Sequence, residues 1–311
     1  MLNADLTCEL LGMQLRNPVI LASGIWGTST SLLERAALSG AAAVTAKSCS
    51  YQARDGHPNP VTIDWQHGLI NAIGLSNPGV YREVALLMDA RQRLDPLGVP
   101  VFASIFGGTV AEYEEVAQII AGAKPHLVEV NISCPNVGHE FGVPFSGSAD
   151  TAAEVTEAVR RGVGSIPISI KLSPNVPDIV RIGEAVVEAG ADAITAINTM
   201  PGMLVDADAG VPVLHNRMGG ISGAALKPIA LRCVYILAQS LKVPIIGTGG
   251  ILCGRDAAEM LTAGAAVVGV GSVVSSRGAS AFKNIVEELG TWMDLRGFGS
   301  LAEVRGRAIR I

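Results

Sequence analysis

Eight short apolar runs recur along the chain, each opening in β-forming residues and closing in Gly, Ser, Asn, Lys or Thr. They are PVILASG (18–24), AAVTAKS (42–48), PVFASIFG (100–107), LVEVNISCP (127–135), PISIKLSPN (167–175), AITAINT (193–199), PIIGTGG (244–250) and AAVVGVGS (265–272). Continuous apolar runs of this length predict strands buried on both faces, as in a parallel sheet. Helical patterns lie between most of them. In TVAEYEEVAQIIAG, Thr109 is an N-cap candidate with Glu112 at capping-box spacing. PDIVRIGEAVVEAG predicts a helix that begins with Pro177 and stops at Gly190.

Eight such units predict an α/β fold, a (β/α)8 TIM barrel with long βα loops at its C-terminal face. A doubly wound sheet is the runner-up. No G-x-G-x-x-G follows the first run, and polar residues end nearly every strand where barrel enzymes assemble their sites. The chain, 1–311, reads as a single domain with a short hairpin-like segment at about 5–16. Insertions at 49–98, 135–150 and 200–226 are long enough to be lids or binding loops. Residues 135–150, with Gly138, Gly142 and Gly147, are the expected lid, and 201–212 is an expected surface excursion.

Composition sharpens this picture. Hydrophobic residues make up 49% and charged residues 16%, enough for a large core, while 4% aromatics and 36 glycines favour close helix-on-sheet packing. A net charge of −5 gives no general attraction to nucleic acid or anionic membranes. Five scattered cysteines without a C-x-x-C exclude a disulfide framework and an iron–sulfur or zinc site held by this chain alone. The N-terminus does not read as a signal peptide, and 263–276 is too short and glycine-rich to span a bilayer. The cytoplasm is the expected setting. The five histidines show no ligand spacing, so no metal is expected.

Around the predicted mouth, the strand ends present Ser23, Lys47, Ser48, Ser104, Asn131, Cys134, Lys171, Asn198 and Thr199. Either lysine alone reads as a side chain snorkelling to the rim. Two lysines beside two amides point to a polar ligand that offsets their burial. IIGTGGI (245–251) and VGVGS (268–272) end the seventh and eighth strands with Gly249, Gly250, Gly271 and Ser272, where barrels bind phosphate on backbone N–H groups. NAIGLSNPG (71–79) alone reads as a turn. A cysteine in a strand is usually inert, but Cys134 opens a long loop, where a thiol can serve as nucleophile or base.

In order, KS (47–48), NAIGLSNPG, NISCPNV, IKLSPN, INT, GGISG (219–223) and GTGG resemble the dihydroorotate dehydrogenases that bind flavin mononucleotide (FMN), over nearly the whole chain. The resemblance implies a (β/α)8 barrel that oxidises dihydroorotate to orotate in pyrimidine synthesis. It implies that Cys134 takes the C5 proton while hydride leaves C6. It implies substrate contacts at Lys47, Asn71, Ala72, Ile73, Gly74, Leu75, Asn131, Asn198 and Thr199. It implies FMN contacts at Ser23, Lys47, Ser48, Ser104, Asn131, Lys171, Ile197, Gly223, Gly249, Gly250, Gly271 and Ser272, with Lys171 facing the flavin N1–C2=O edge. A cysteine base marks class 1. NAIGLSNPG, KLSPNVPDIV and INTMPGMLVDADAGVPVL resemble the NAD-linked class 1B, which implies a homodimer and a heterotetramer with a subunit carrying FAD and a 2Fe–2S cluster. Ser104, where class 1B usually has Asn, and the tail 271–290 lean toward the fumarate-linked class 1A. A dihydropyrimidine dehydrogenase-like enzyme, a non-catalytic flavoprotein and a Schiff-base aldolase using Lys171 are the other readings. The NAIGL loop separates the first of these from dihydroorotate dehydrogenases.

Overall fold

The computed structural model describes residues 4–132 and 147–310. Its centre is a closed eight-stranded parallel barrel. The strands are Val19–Leu21, Val44–Thr45, Val101–Ile105, Leu127–Asn131, Ile168–Leu172, Ala193–Ala196, Ile245–Thr248 and Val267–Val270, one inside each apolar run. They neighbour one another in chain order, and the eighth closes on the first. Helices follow each strand, among them Thr30–Leu38, Val80–Leu94, Val110–Ala121, Ile179–Glu188, Lys227–Ser240 and Ser280–Arg296.

The strands are shorter than the runs because their polar ends leave the ladder and turn into the mouth. Local capping explains the helix starts. Thr109 Oγ1 accepts from Glu112 N at 3.1 Å, as the spacing predicts. The Glu112 carboxylate caps Gly108 N at 2.7 Å rather than closing the reciprocal box on Thr109. The fifth helix corrects the expectation for Pro177. It starts at Ile179, because the Asp178 carboxylate accepts from Val180 N and Arg181 N, and it ends at Glu188 with Ala189 as cap.

Side-chain alternation divides the apolar residues between two cores. Outward residues such as Ala103, Ile105, Val128, Val130, Ile170 and Ile194 pack under the helices. Inward residues at the base, Ile20, Phe102, Leu127, Ile246 and Val267, form a second core. Cys8–Leu10 and Met13–Leu15 pair as an antiparallel hairpin and plug that base with Leu10 and Leu15.

Two long insertions meet over the mouth. Strands Met200–Met203, Met218–Ser222, Leu69–Asn71 and Thr62–Asp64 form one antiparallel sheet in that order. The expected surface excursion at 201–212 is therefore only partly one. Its first residues pair within this sheet, and only Val205–Asp206 with Val211–Pro212 projects as a separate hairpin. Glycine makes this layering possible. A Cβ on Gly220 would lie 2.0 Å from Thr199 Oγ1, and one on Gly219 2.5 Å from the Asn71 carbonyl oxygen.

Candidate active site

A cavity of about 260 Å³ opens at the C-terminal end of the barrel, beneath the accessory sheet. Its size is near the lower end for small-molecule pockets. Of the expected substrate contacts, Lys47, Asn71, Ile73, Gly74, Leu75, Asn131, Asn198 and Thr199 line it. Ala72 does not: it is buried with Ile70 and Leu214, because its neighbours Asn71 and Ile73 take the inward positions. Of the expected cofactor contacts, Ser23, Ser48, Lys171, Ile197, Gly223, Gly249, Gly250, Gly271 and Ser272 line the cavity as well. Ser104 does not. It is fully buried one layer lower, with its hydroxyl 2.8 Å from that of Ser48.

The amides are held in a chain. Asn198 Nδ2 donates to Asn131 Oδ1 at 3.3 Å, and Asn198 Oδ1 accepts from Thr199 N at 2.8 Å. Asn71 Nδ2 donates to the Gly220 carbonyl at 3.3 Å, fixing this amide within the accessory sheet, between two of its paired strands. The 71–79 loop is more than a turn. Gly74 and Leu75 both take positive φ, and a Cβ on Gly74 would lie 2.7 Å from His57 N. Asn77 accepts from Ser50 N and Gly79 N and so fixes the loop's far end.

Sequence reasoning passed over several lining groups, including Thr62, Ser222 and Thr248. Thr62 reaches the cavity only through the accessory sheet. It also missed Glu129, which lies beneath the cavity and accepts from Ser23 Oγ at 2.5 Å and from Ser104 Oγ at 3.4 Å. The signal was a lone acid within an apolar strand, in phase with Asn131. Cys134 and most of the expected lid lie outside the described residues.

The loops that follow the seventh and eighth strands fit a phosphate. Gly249 and Gly250 have φ of +130° and +75°, and a Cβ on Gly250 would lie 2.4 Å from Lys227 Cβ. Among the described hydrogen bonds, none is donated by the backbone N–H of Gly249, Gly250, Gly271 or Ser272. Four such N–H groups at adjacent loops are the ingredients of an anion cradle. Lys227 sits beside it but is engaged by Asp256 at 2.7 Å and Glu259 at 2.9 Å. The cradle is therefore backbone in character. Lys171 donates to Ser23 Oγ at 2.9 Å and stands 3.6 Å from Glu129. A lysine nitrogen turned onto Ser23 and toward a buried carboxylate is poorly placed as a Schiff-base nucleophile, which disfavours the aldolase reading.

Residues 5–293 match the Dihydroorotate dehydrogenase family. The chain belongs to that family. It is 43% identical to the "Dihydroorotate dehydrogenase B (NAD(+)), catalytic subunit" of Methanosarcina mazei, over 96% of this chain and 94% of that protein. Proteins of the same name from Anoxybacillus flavithermus and Pyrococcus abyssi are 41% and 40% identical, over 97% and 98% of this chain and 96% and 100% of theirs. Within the family the chain is of class 1B type, so Ser104 and the C-terminal tail were the weaker guides. The family is flavin-dependent. Among the described residues, no helix is long and apolar enough to cross a membrane.

Proposed function

We propose that the cavity is the site at which this chain oxidises dihydroorotate to orotate with FMN bound beside the substrate. When bound, FMN supplies the acceptor for the hydride that leaves C6 of dihydroorotate. The glycine cradle at Gly249, Gly250, Gly271 and Ser272 holds its phosphate. Ser23, Ser48, Ile197 and Gly223, which line the cavity, would contact its ring and ribityl chain, and Lys171 would present its side-chain nitrogen to the N1–C2=O edge. Asn71, Asn131, Asn198 and Thr199 orient the pyrimidine ring through amide and hydroxyl groups; Asn131 and Asn198 are held by each other, Asn198 also by the Thr199 backbone, and Asn71 by the Gly220 carbonyl. Lys47, which lines the same cavity, would sit beside both substrate and flavin. Cys134, three residues beyond Asn131, is the base that takes the C5 proton.

One observation carries this reading: two lysines and the asparagine chain converge on a single cavity above an anion cradle, in a chain of this family. The relatives' name, a catalytic subunit of an NAD(+) enzyme, supports a separate electron-transfer partner. The partner proposed here carries FAD and a 2Fe–2S cluster, and two of each chain form a heterotetramer around a homodimer of this one. The cytoplasm is the proposed setting.

The test is anaerobic. Purified protein should be yellow, and dihydroorotate should bleach it. The isolated chain should pass electrons to artificial dyes but reduce NAD only with the partner subunit. Bound flavin that dihydroorotate cannot bleach would sink the catalytic reading. Efficient NAD reduction by the chain alone would sink the proposed relay.

A further inference from the structure

Two opposite charges are buried just below the cavity. Lys171 is 6% exposed and Glu129 5%. They project from adjacent strands, where Asn131 pairs with Lys171 and Glu129 pairs with Ser169 on one side and Ser104 on the other. Only the lysine belongs to the cavity wall; the carboxylate lies beneath it. Ser23 joins them. Its single hydroxyl proton goes to Glu129 Oε1 at 2.5 Å, so toward Lys171 it can only accept, at 2.9 Å. The direct distance between Lys171 Nζ and Glu129 Oε1 is 3.6 Å. Ser48 and Ser104, 2.8 Å apart, extend the network to the same carboxylate oxygen.

A buried ion pair is weak as a device for stability, because desolvation of both charges offsets their attraction. This pair is also asymmetric, with the positive end at the cavity and the negative end behind it. An ammonium has three donors, and Ser23 takes one of them in a fixed direction. The carboxylate thus does two things at once. It orients the lysine through the serine, and it offsets a unit of positive charge close to any ring lying on the cavity floor.

We propose that Glu129 is a positioning residue which, through Ser23, aims Lys171 at the flavin and offsets its charge, lowering the reduction potential that Lys171 alone would set. This rests on the flavin reading above. Lys171 favours negative charge on the ring and Glu129 disfavours it, so removing either should move the potential in opposite directions.

The experiment is dye-equilibrated reduction of the flavin-loaded parent and of Glu129→Gln, Lys171→Met and the double variant, without substrate. Glu129→Gln should raise the potential by at least a tenfold change in the oxidised-to-reduced equilibrium, about 30 mV for a two-electron couple. Lys171→Met should lower it, and the double variant should fall between the two. Loss of packing alone would not give opposite signs. Where Glu129→Gln does not fold, Glu129→Asp keeps the charge but withdraws it by one methylene, and should shift the potential upward by less. An unchanged potential in the Glu129 variants, or shifts of one sign in both single variants, overturns the inference alone. A parent chain that binds no flavin overturns the functional reading and this inference with it.

Discussion

The two ends of the barrel interior are built from the same strands and have opposite chemistry. At the base, Ile20, Phe102, Leu127, Ile246 and Val267 close against Leu10 and Leu15 of the hairpin. Towards the mouth, Phe102 gives way to Ser104 two residues on, and Leu127 gives way to Glu129 and then Asn131. At about 3.3 Å per residue, the change from a dry core to a charged pair and an amide takes roughly 13 Å. Nothing in the backbone marks the change, since the barrel is continuous. The difference teaches that one interior can hold the fold at one end and the chemistry at the other, provided side chains of the same phase change type along each strand. The base should therefore answer to stability measurements and the mouth to turnover.

The largest effect should come from the mouth. Cys134→Ala removes the proposed base and should lower dihydroorotate oxidation by roughly 10²–10⁴-fold, the usual contribution of a positioned base. Flavin content and melting temperature should stay near those of the parent. A variant with parental turnover at neutral pH would give the proton to another group. A large fall in melting temperature would break the division between the two ends.

The base should show the reverse. Phe102 is 1% exposed within the plug cluster. Phe102→Ala should cost about 3–5 kcal/mol of stability through lost transfer energy and a residual cavity. Denaturant titration reads that loss. The flavin spectrum and the turnover of the folded fraction should be unchanged. If turnover of the folded fraction fell with stability, the two ends would be coupled through the polar middle layer, where Ser169 and Thr195 hydroxyls lie 2.8 Å apart.

How much of this was legible follows from the same physics. The eight strands and their order are local signals repeated in sequence, so apolar runs with polar ends predict both barrel and mouth. Asn131, Lys171 and the cradle glycines were legible because each breaks an apolar run at its end. The accessory sheet was not, because it pairs residues 62–71 with 200–222 through strands of three to five residues containing Gly and Pro. Short interrupted strands carry no period of their own, and long-range pairing fixes their register. Glu129 was hidden by its neighbours, since Val128 and Val130 make the run look apolar while facing the helices. The helix Val80–Leu94 lies inside the stretch 49–98 that was expected to be a lid or binding loop, and corrects that expectation. Its buried stripe is Val80, Glu83, Leu87, Ala90 and Leu94, so an acid occupies a core position.

That acid gives the smallest and most specific prediction. Glu83 has no exposed surface, and neither carboxyl oxygen has a hydrogen-bond partner among the described residues. Burial pushes its pKa from 4.5 up to about 8, against the pull of the Lys47 charge. Its field in turn helps hold the Cys49 thiol well above its usual range, behind burial itself. Glu129 solves the same burial with a lysine and two hydroxyls, whereas Glu83 keeps its proton. A carboxyl whose folded pKa is raised binds a proton that the unfolded chain releases, so its contribution weakens the fold as pH rises between the two values. Below about pH 4.5 both states are protonated and the group adds no slope; above about pH 8 its full cost is present. Within that window one proton is worth about 1.4 kcal/mol per pH unit. Denaturant titrations at pH 5.5, 6.5 and 7.5 should show the parent losing stability more steeply with pH than Glu83→Gln, by about that slope. Slopes are the quantity to compare, because the buried amide of the variant lowers stability at every pH. Equal slopes would mean that Glu83 is ionised in the folded chain, with Lys47 as its counter-charge, and the contrast between the two buried acids would disappear.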